Sequence, residues 1–407
     1  MTRSSAARRL TAVLCGMCGT TLAGCGGGGS AAPGPAPAPT PAPPASDAAA
    51  FLVRLGNDTL AGEQFTRTAI SLTGTGVVRS PATIRRSYTA SLNPDGTVAR
   101  FEFTAQRTAQ TIPPQRVTMT FAAGRVSVST QVGDSAARTT ELPVEGPALP
   151  YVGNSFALFE LATRIARGAT TTATGSAAGT TRFAMVASFG RVLPATVTRV
   201  GTDSMLISIN DDAPYRARVD AAGRILGLEG TPTQRVAVTR LPSLDVAALA
   251  AERPIGTLSP TDTVQSRFGR AALRVVYSRP SRRGRTVLGG LVPYDSVWRT
   301  GANAATVFTT SAPLNIGGVN VPIGEYSLWT VPSRTGWRLV INRQAGQWGT
   351  EYDAARDLAR IEMALARVAD PVEQFTIALN PAAGSTGRLQ LAWDDFQASV
   401  PIAVVGR

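Results

Sequence analysis

From residue 47 to about 240 the chain alternates apolar and polar positions, with turn residues at short intervals, which is the pattern of strands burying one face. Ile84, Arg86, Tyr88, Ala90 and Leu92 share one side of such a run. Asn93-Pro94-Asp95-Gly96 breaks it and alternation resumes from Val98 to Phe103, which predicts a hairpin. Val117, Met119 and Phe121 lead through Ala122-Ala123-Gly124 to Val126 and Val128. Met205, Ile207 and Ile209 precede Tyr215, Ala217 and Val219, followed by a turn at Asp220 to Gly223. An antiparallel meander of long strands is predicted. One stretch has the other period: Leu158, Leu161, Ala162 and Ile165 recur at i, i+3, i+4 and i+7, with Asn154 or Ser155 as cap and Gly168 as stop. A single helix is expected to pack on the sheet.

Ser243 to Ala251 reads as a short helix capped by Ser243 and stopped before Pro254, with Glu252 to Ser259 as connector. Beyond it, strands are predicted at Ala272 to Tyr277, Ala304 to Thr310, Gly324 to Val331, Trp337 to Asn342, Leu358 to Val368, Glu373 to Leu379, Leu389 to Trp393 and Gln397 to Val404. All five tryptophans lie at or beyond position 298, so this part has a core of its own. The fold class expected is mainly β: an amino-terminal meander sheet with one packed helix over 47–251, then a carboxyl-terminal β-sandwich or jelly-roll-like domain over 255–407. A sheet curving round its helix would enclose a cavity, which resembles the half-barrel of periplasmic lipid-carrier proteins. A sheet that merely packs on its helix is the alternative.

Residues 1–24 read as an export leader: Arg3, Arg8 and Arg9, an apolar stretch from Leu10 to Leu22, then small residues. Leu22-Ala23-Gly24-Cys25 resembles the lipobox of bacterial lipoproteins, which implies acylation of Cys25 after the leader is cut; two or three acyl chains give a stable lipid anchor. Cys15-Gly16-Met17-Cys18 has redox spacing but falls inside the discarded leader. Residues 25–46 are rich in Gly, Pro and Ala and are expected to form a semi-extended spacer reaching roughly 50 Å.

Composition then removes chemistry. There is no histidine, and every one of the 40 basic residues is arginine. Imidazole and thiolate metal sites, Ser-His-Asp and Cys-His nucleophiles and lysine Schiff bases are excluded. Acid-base work would fall to shifted carboxylates or tyrosines. Asp211-Asp212 and Asp394-Asp395 lack calcium-loop spacing and read as solvated turns. No metal or cofactor is expected. The net charge of +13 is spread along the chain, apart from Arg267, Arg270, Arg274, Arg279, Arg282, Arg283 and Arg285, a run without acids. Outside the cytosol this permits contact with anionic lipid or glycan and argues against nucleic acid.

Tyr277-Ser-Arg-Pro280, Gly284-Arg285, Gly290-Leu-Val-Pro-Tyr294, Trp298-Arg-Thr-Gly-Ala-Asn303, Thr306, Pro322-Ile-Gly-Glu-Tyr326, Trp337, Trp348-Gly349 and Trp393 form a set of motifs. Over roughly residues 257–404 this set resembles domain-of-unknown-function family 2911. The resemblance implies an exported β-rich domain and no named activity. The family commonly has an acidic residue after Gly-Ala-Asn, where this chain has Ala304.

Physically, Trp298 to Asn303 places a rigid aromatic, a planar five-donor cation and an amide close together, a set suited to a carboxylate, phosphate or sugar. Arg285, Tyr294, Trp298, Arg299, Asn303, Glu325 and Tyr326 are the candidate ligand-binding or structural cluster. The purely structural alternative is a buried Arg299–Glu325 pair clamped by Trp298 and Tyr294. The function expected is a lipid-anchored cell-envelope protein, on the periplasmic face of the outer membrane, that binds or supports a partner without catalysis. That partner is an anionic lipid, a glycan or another envelope protein. The alternatives are a carrier of an apolar ligand in a half-barrel, and a glycan-acting enzyme pairing Glu325 with Asp295 or Glu351.

Overall fold

The computed structural model describes residues 46–108, 111–169, 179–210, 212–230 and 235–406. Residues 1–45, with the expected leader, Cys25 and all but the last residue of the expected spacer, and Asp211 lie outside the described residues. The first part runs β1 (Asp47–Leu55), β2 (Asp58–Arg67), β3 (Ser71–Val78), β4 (Ile84–Leu92), β5 (Val98–Arg107), β6 (Gln115–Ala122), β7 (Arg125–Val132), β8 (Arg138–Pro143) and β9 (Ala148–Tyr151). Helix α1 (Phe156–Gly168) follows, then β10 (Thr180–Ala187), β11 (Arg191–Val200), β12 (Ser204–Ile209), β13 (Tyr215–Val219), β14 (Ile225–Glu229), β15 (Ala237–Leu241) and helix α2 (Val246–Ala251). The strands form one fifteen-stranded sheet in the order β8-β7-β6-β5-β4-β3-β2-β1-β15-β14-β13-β12-β11-β10-β9. The predicted hairpin is β4–β5: Ala90 faces Phe101, and the Gly96 amide donates to the Asn93 carbonyl at 2.9 Å, with Gly96 at φ 82°.

The two edge strands, β8 and β9, are consecutive in the chain and joined only by residues 144–147. So short a connection spans less than about 18 Å. The sheet therefore curls until its edges approach, without closing. The Val144 amide donates to the Gly124 carbonyl at 3.1 Å and fixes the crossing to the β6–β7 turn.

Helix α1 buries Phe156, Leu158, Phe159, Leu161 and Ala162 in the same core as Phe51, Phe65, Phe101, Phe183 and Tyr215 of the strands. Each large apolar side chain so placed is worth about 1.5–3 kcal/mol. Ser155 occupies the cap position but makes no side-chain cap bond. Its role passes to Glu63 of β2, whose carboxylate accepts the Ala157 amide at 2.7 Å and the Tyr88 hydroxyl at 3.1 Å. For α2 the cap is Asp245, accepting from the Ala248 amide, rather than Ser243.

The second part contains β16 (Thr261–Phe268), β17 (Ala271–Ser278), β18 (Thr306–Thr310), β19 (Leu314–Ile316), β20 (Val319–Val321), β21 (Gly324–Pro332), β22 (Trp337–Asn342), β23 (Asp357–Pro381) and β24 (Thr386–Val404), in the order β16-β17-β18-β21-β22-β23-β24-β19-β20. The four short strands expected between Leu358 and Val404 are thus two long ones. Their apparent breaks are irregularities inside strands: the β23–β24 register shifts between Arg367 and Val372, around Pro371, and Asp394 sits within β24 at φ 53°. Asp394-Asp395 is therefore no turn; Asp394 pairs with Arg282 at 2.9 Å and Asp395 with Arg367. The β1–β2 turn meets this part at residues 282–285, where Asn57 donates to the Arg283 carbonyl at 2.9 Å and Asp58 pairs with Arg283.

Candidate ligand-binding site

The segment from Trp298 to Asn303 leaves the second core and turns sharply. Trp298 is buried, stacked on Trp393 at 5.9 Å and edge-on to Phe375 at 5.0 Å, with its indole N–H donating to the Gly301 carbonyl at 3.2 Å. Thr300 takes φ 53° although β-branched residues avoid that region, and Asn303 takes φ 61°, which asparagine tolerates better. Thr300 is held there by burial and by the Thr306 hydroxyl, which donates to its carbonyl at 2.7 Å. A β-branched residue with so unfavourable a backbone conformation between two candidate binding residues marks a turn maintained by its surroundings.

Arg299 emerges half-buried from this turn and crosses Gly349. A Cβ at position 349 would lie 2.3 Å from Arg299 Cδ and 2.4 Å from the Asn303 carbonyl oxygen, so glycine is required by close approach. One guanidinium nitrogen donates to the Asn303 carbonyl at 3.1 Å, and the Gly349 amide donates to the same oxygen at 3.0 Å. Burial alone lowers the Arg299 pKa from its ordinary value; no carboxylate offsets it. Next along the chain, Trp348 bridges to Ala304 and is the exposed tryptophan of the set, while its amide donates to Glu351 at 3.2 Å. Gln347, buried, donates to Ser327 Oγ at 3.0 Å and leaves its own carbonyl oxygen without a partner.

Among the described residues, no hydrogen bond, ion pair or ring contact joins Arg285, Tyr294, Glu325 or Tyr326 to Arg299. Glu325 is exposed in β21, accepting from Thr309 Oγ1 at 3.4 Å, because the β18–β21 register sets it opposite Thr309. The Arg299–Glu325 pair is absent. Tyr326 is buried and donates to the Pro322 carbonyl at 3.0 Å, with burial raising its pKa. Tyr294 lies under the Arg334 guanidinium, 4.8 Å away. Arg285 faces the first part: it donates to the Ser281 and Arg282 carbonyls, and burial and then Arg283 lower its pKa. Trp348 is legible in the sequence only as part of the Trp348-Gly349 motif; neither its exposure nor its bridge to Ala304 is announced by a local pattern. Asp295, Glu325 and Glu351 share no hydrogen bond. Among the described residues no group of three metal-ligating side chains occurs, and no helix is long and apolar enough to cross a membrane.

The first part holds its buried charge differently. Glu160 of α1 pairs with Arg164 at 3.1 Å and Arg240 at 2.5 Å, Asp47 pairs with the same two arginines, and the Ile225 amide donates to Glu160 at 2.9 Å. Arg240 also lies over the rings of Phe51 and Phe65. Burial pushes the Glu63 carboxyl up to about 7, against its hydrogen bonds and Arg86. A pocket of about 510 Å³ opens between Val144 and Glu145 and the strands β10 to β12, lined by Phe183, Ala184, Val192 and Pro194.

No curated protein matches this chain. The crystal structure of a DUF1089 family protein from Pseudomonas aeruginosa is similar over 43% of this chain and 91% of its own, at 15% identity and a TM-score of 0.32. A structure of botulinum neurotoxin type C, whose cell entry is described as dependent upon interaction with two ganglioside molecules, is similar over 88% of this chain and 85% of its own, at 7% identity and a TM-score of 0.12. Likenesses this slight carry no weight for function. The family described as protein of unknown function (DUF2911) matches residues 259–402, so the second sheet, bearing Trp298, Arg299 and Trp348, is the DUF2911 region of this chain.

Proposed function

We propose that this chain is a lipid-anchored protein of the bacterial cell envelope whose second sheet binds an anionic ligand without transforming it. One observation carries the binding role: among the described residues, Arg299 is a half-buried guanidinium with a backbone carbonyl as its partner and no carboxylate to balance it. Half-buried cations are costly unless paired, and an anionic ligand supplies the missing partner. A non-catalytic role is supported by the absence of histidine and lysine, and by the engagement of the buried carboxylates Glu63 and Glu160 in holding α1. The anchor reading rests on Leu22-Ala23-Gly24-Cys25, the basic leader before it and the spacer after it. It places the protein on the periplasmic face of the outer membrane, where anionic lipid, glycan and other envelope proteins are the available partners.

Two measurements test this. Wild-type protein is expected to pellet with membranes and to take up labelled palmitate, and Cys25→Ser to do neither; equal behaviour of the two removes the anchor. Mass spectrometry of detergent-extracted protein is expected to find a copurifying anion that Arg299→Gln loses. A carrier of an apolar ligand is the second reading, favoured by the pocket beside Val144.

A further inference from the structure

We infer that the pocket beside Val144 takes a short apolar peptide with both ends charged; this rests on the second reading above, that the pocket holds a ligand. Strand register sets one wall. Arg182 of β10 lies opposite Thr196 of β11, and Thr196 opposite Ser208 of β12, so the three form one polar row on one face of the sheet, and all three line the pocket. Two residues further along β10, Ala184 lies opposite Pro194, and Val192 follows on the same face, which makes the adjoining part of the wall apolar. Three strands about 4.8 Å apart give the polar row a length of roughly 10 Å, with the apolar row about 6.6 Å from it. The other wall is the end of β8 and the crossing to β9, with Pro143, Val144 and Glu145. It is pinned at two points: the Val144 amide donates to the Gly124 carbonyl at 3.1 Å, and the Pro147 carbonyl accepts the Ala184 amide at 2.9 Å. A wall fixed before the ligand arrives loses little freedom on binding.

Charge and apolar surface in one cavity select the ligand. Arg182 and Glu145 line the same pocket with opposite signs. A hydrocarbon would take water from both and partner neither, and an apolar molecule with one charge would satisfy one and face its like in the other. A zwitterion answers both: its carboxylate meets the Arg182 fork and its ammonium the Glu145 carboxylate. The Ser208 hydroxyl donates to the Asp212 carbonyl at 2.6 Å, so its oxygen is left to accept a peptide N–H, while the Thr196 hydroxyl beside it can donate to a peptide carbonyl. An extended tripeptide is about 10 Å long, the length of the polar row. Its apolar side chains cover Ala184, Pro194 and Val192, and the volume of about 510 Å³ suits a ligand of that size.

The test is calorimetric titration of full-length protein in lipid nanodiscs, with empty nanodiscs as the blank and circular dichroism verifying that each variant is folded. The probes are trivaline, N-acetyltrivaline, trivaline amide and hexanol. Trivaline is expected to bind, and each singly capped form to bind at least about tenfold more weakly. Arg182→Gln is expected to weaken trivaline by about tenfold or more and to leave trivaline amide, which has no carboxylate, unchanged; Glu145→Gln is expected to weaken trivaline equally and to leave N-acetyltrivaline unchanged. Absence of trivaline binding, equal affinity for a capped form, or unchanged trivaline affinity in either variant overturns the peptide inference. If hexanol then binds, the apolar-ligand reading of this pocket stands alone. If neither trivaline nor hexanol binds, both readings fall together.

Discussion

The two sheets bury charge in opposite ways. In the first, each buried carboxylate among the described residues has donors arranged round it: Glu63 at the start of α1, and Glu160, beside the partly buried Asp47, between Arg164 and Arg240. In the second, Arg299 is drawn half out of water with, among the described residues, only a carbonyl for company. The first pattern ties a helix to a sheet across long sequence separations. The second leaves attraction unspent, and unspent attraction is what a ligand can use. The same residue type thus serves as a structural tie in one place and, in the function proposed above, as a receptor in the other, and what separates them is the presence of a carboxylate.

Glu160→Ala should break this contrast most severely, because Arg164 and Arg240 lose a buried partner; a loss of about 3–5 kcal/mol in urea unfolding is expected. The next effect is acid–base. The Glu63 carboxyl titrates at about 7 in the fold against 4.5 as the ordinary value, so its protonated form is the one the fold prefers. Its contribution is complete below about pH 4.5 and is lost as pH rises through about 7, amounting to about 3 kcal/mol. The groups around it are Tyr88 and Arg86 of β4 and the amides of Phe156 and Ala157. Thermal unfolding should therefore occur at lower temperature at pH 8 than at pH 5, and Glu63→Gln should flatten that dependence. Gly349→Ala should cost about 1–3 kcal/mol, since the new methyl meets Arg299 and the Asn303 carbonyl. The smallest change is expected from Arg299→Gln, within about 0.5 kcal/mol of wild type by urea unfolding, because no ion pair is broken. A loss comparable to that of Glu160→Ala would make Arg299 a structural tie after all and erase the distinction.

Much of the first sheet could be read from period-two alternation, since a half-buried strand must alternate and Asn93 to Gly96 can hardly be anything but a turn. Helix α1 was equally plain from Leu158, Leu161, Ala162 and Ile165. The cap was not, because Glu63 stands 94 residues from Ala157 in the chain. Long strands carrying irregularities defeat local reading too: Pro371 and Asp394 look like ends of strands and are shifts within them. At the candidate site, Trp298, Arg299 and Asn303 are contiguous and were visible together. Arg285, Tyr294, Glu325 and Tyr326 were expected nearby and occupy other surroundings, because convergence depends on strand register and loop paths that spacing does not determine. Trp348, in the loop after β22, is joined to this segment by one bridge to Ala304.

The crossing at residues 144–147 also dictates an order of assembly. Strands β1 to β8 can pair as they emerge from the ribosome, each with its predecessor. Helix α1 comes only after the chain has jumped to the far rim, and β15 must then travel back to lie against β1, with Ala50 opposite Leu241. Nascent chain shorter than 241 residues has no means of completing that run of neighbours, and the final zippering joins segments as distant as any in this sheet, a step that topology makes slow.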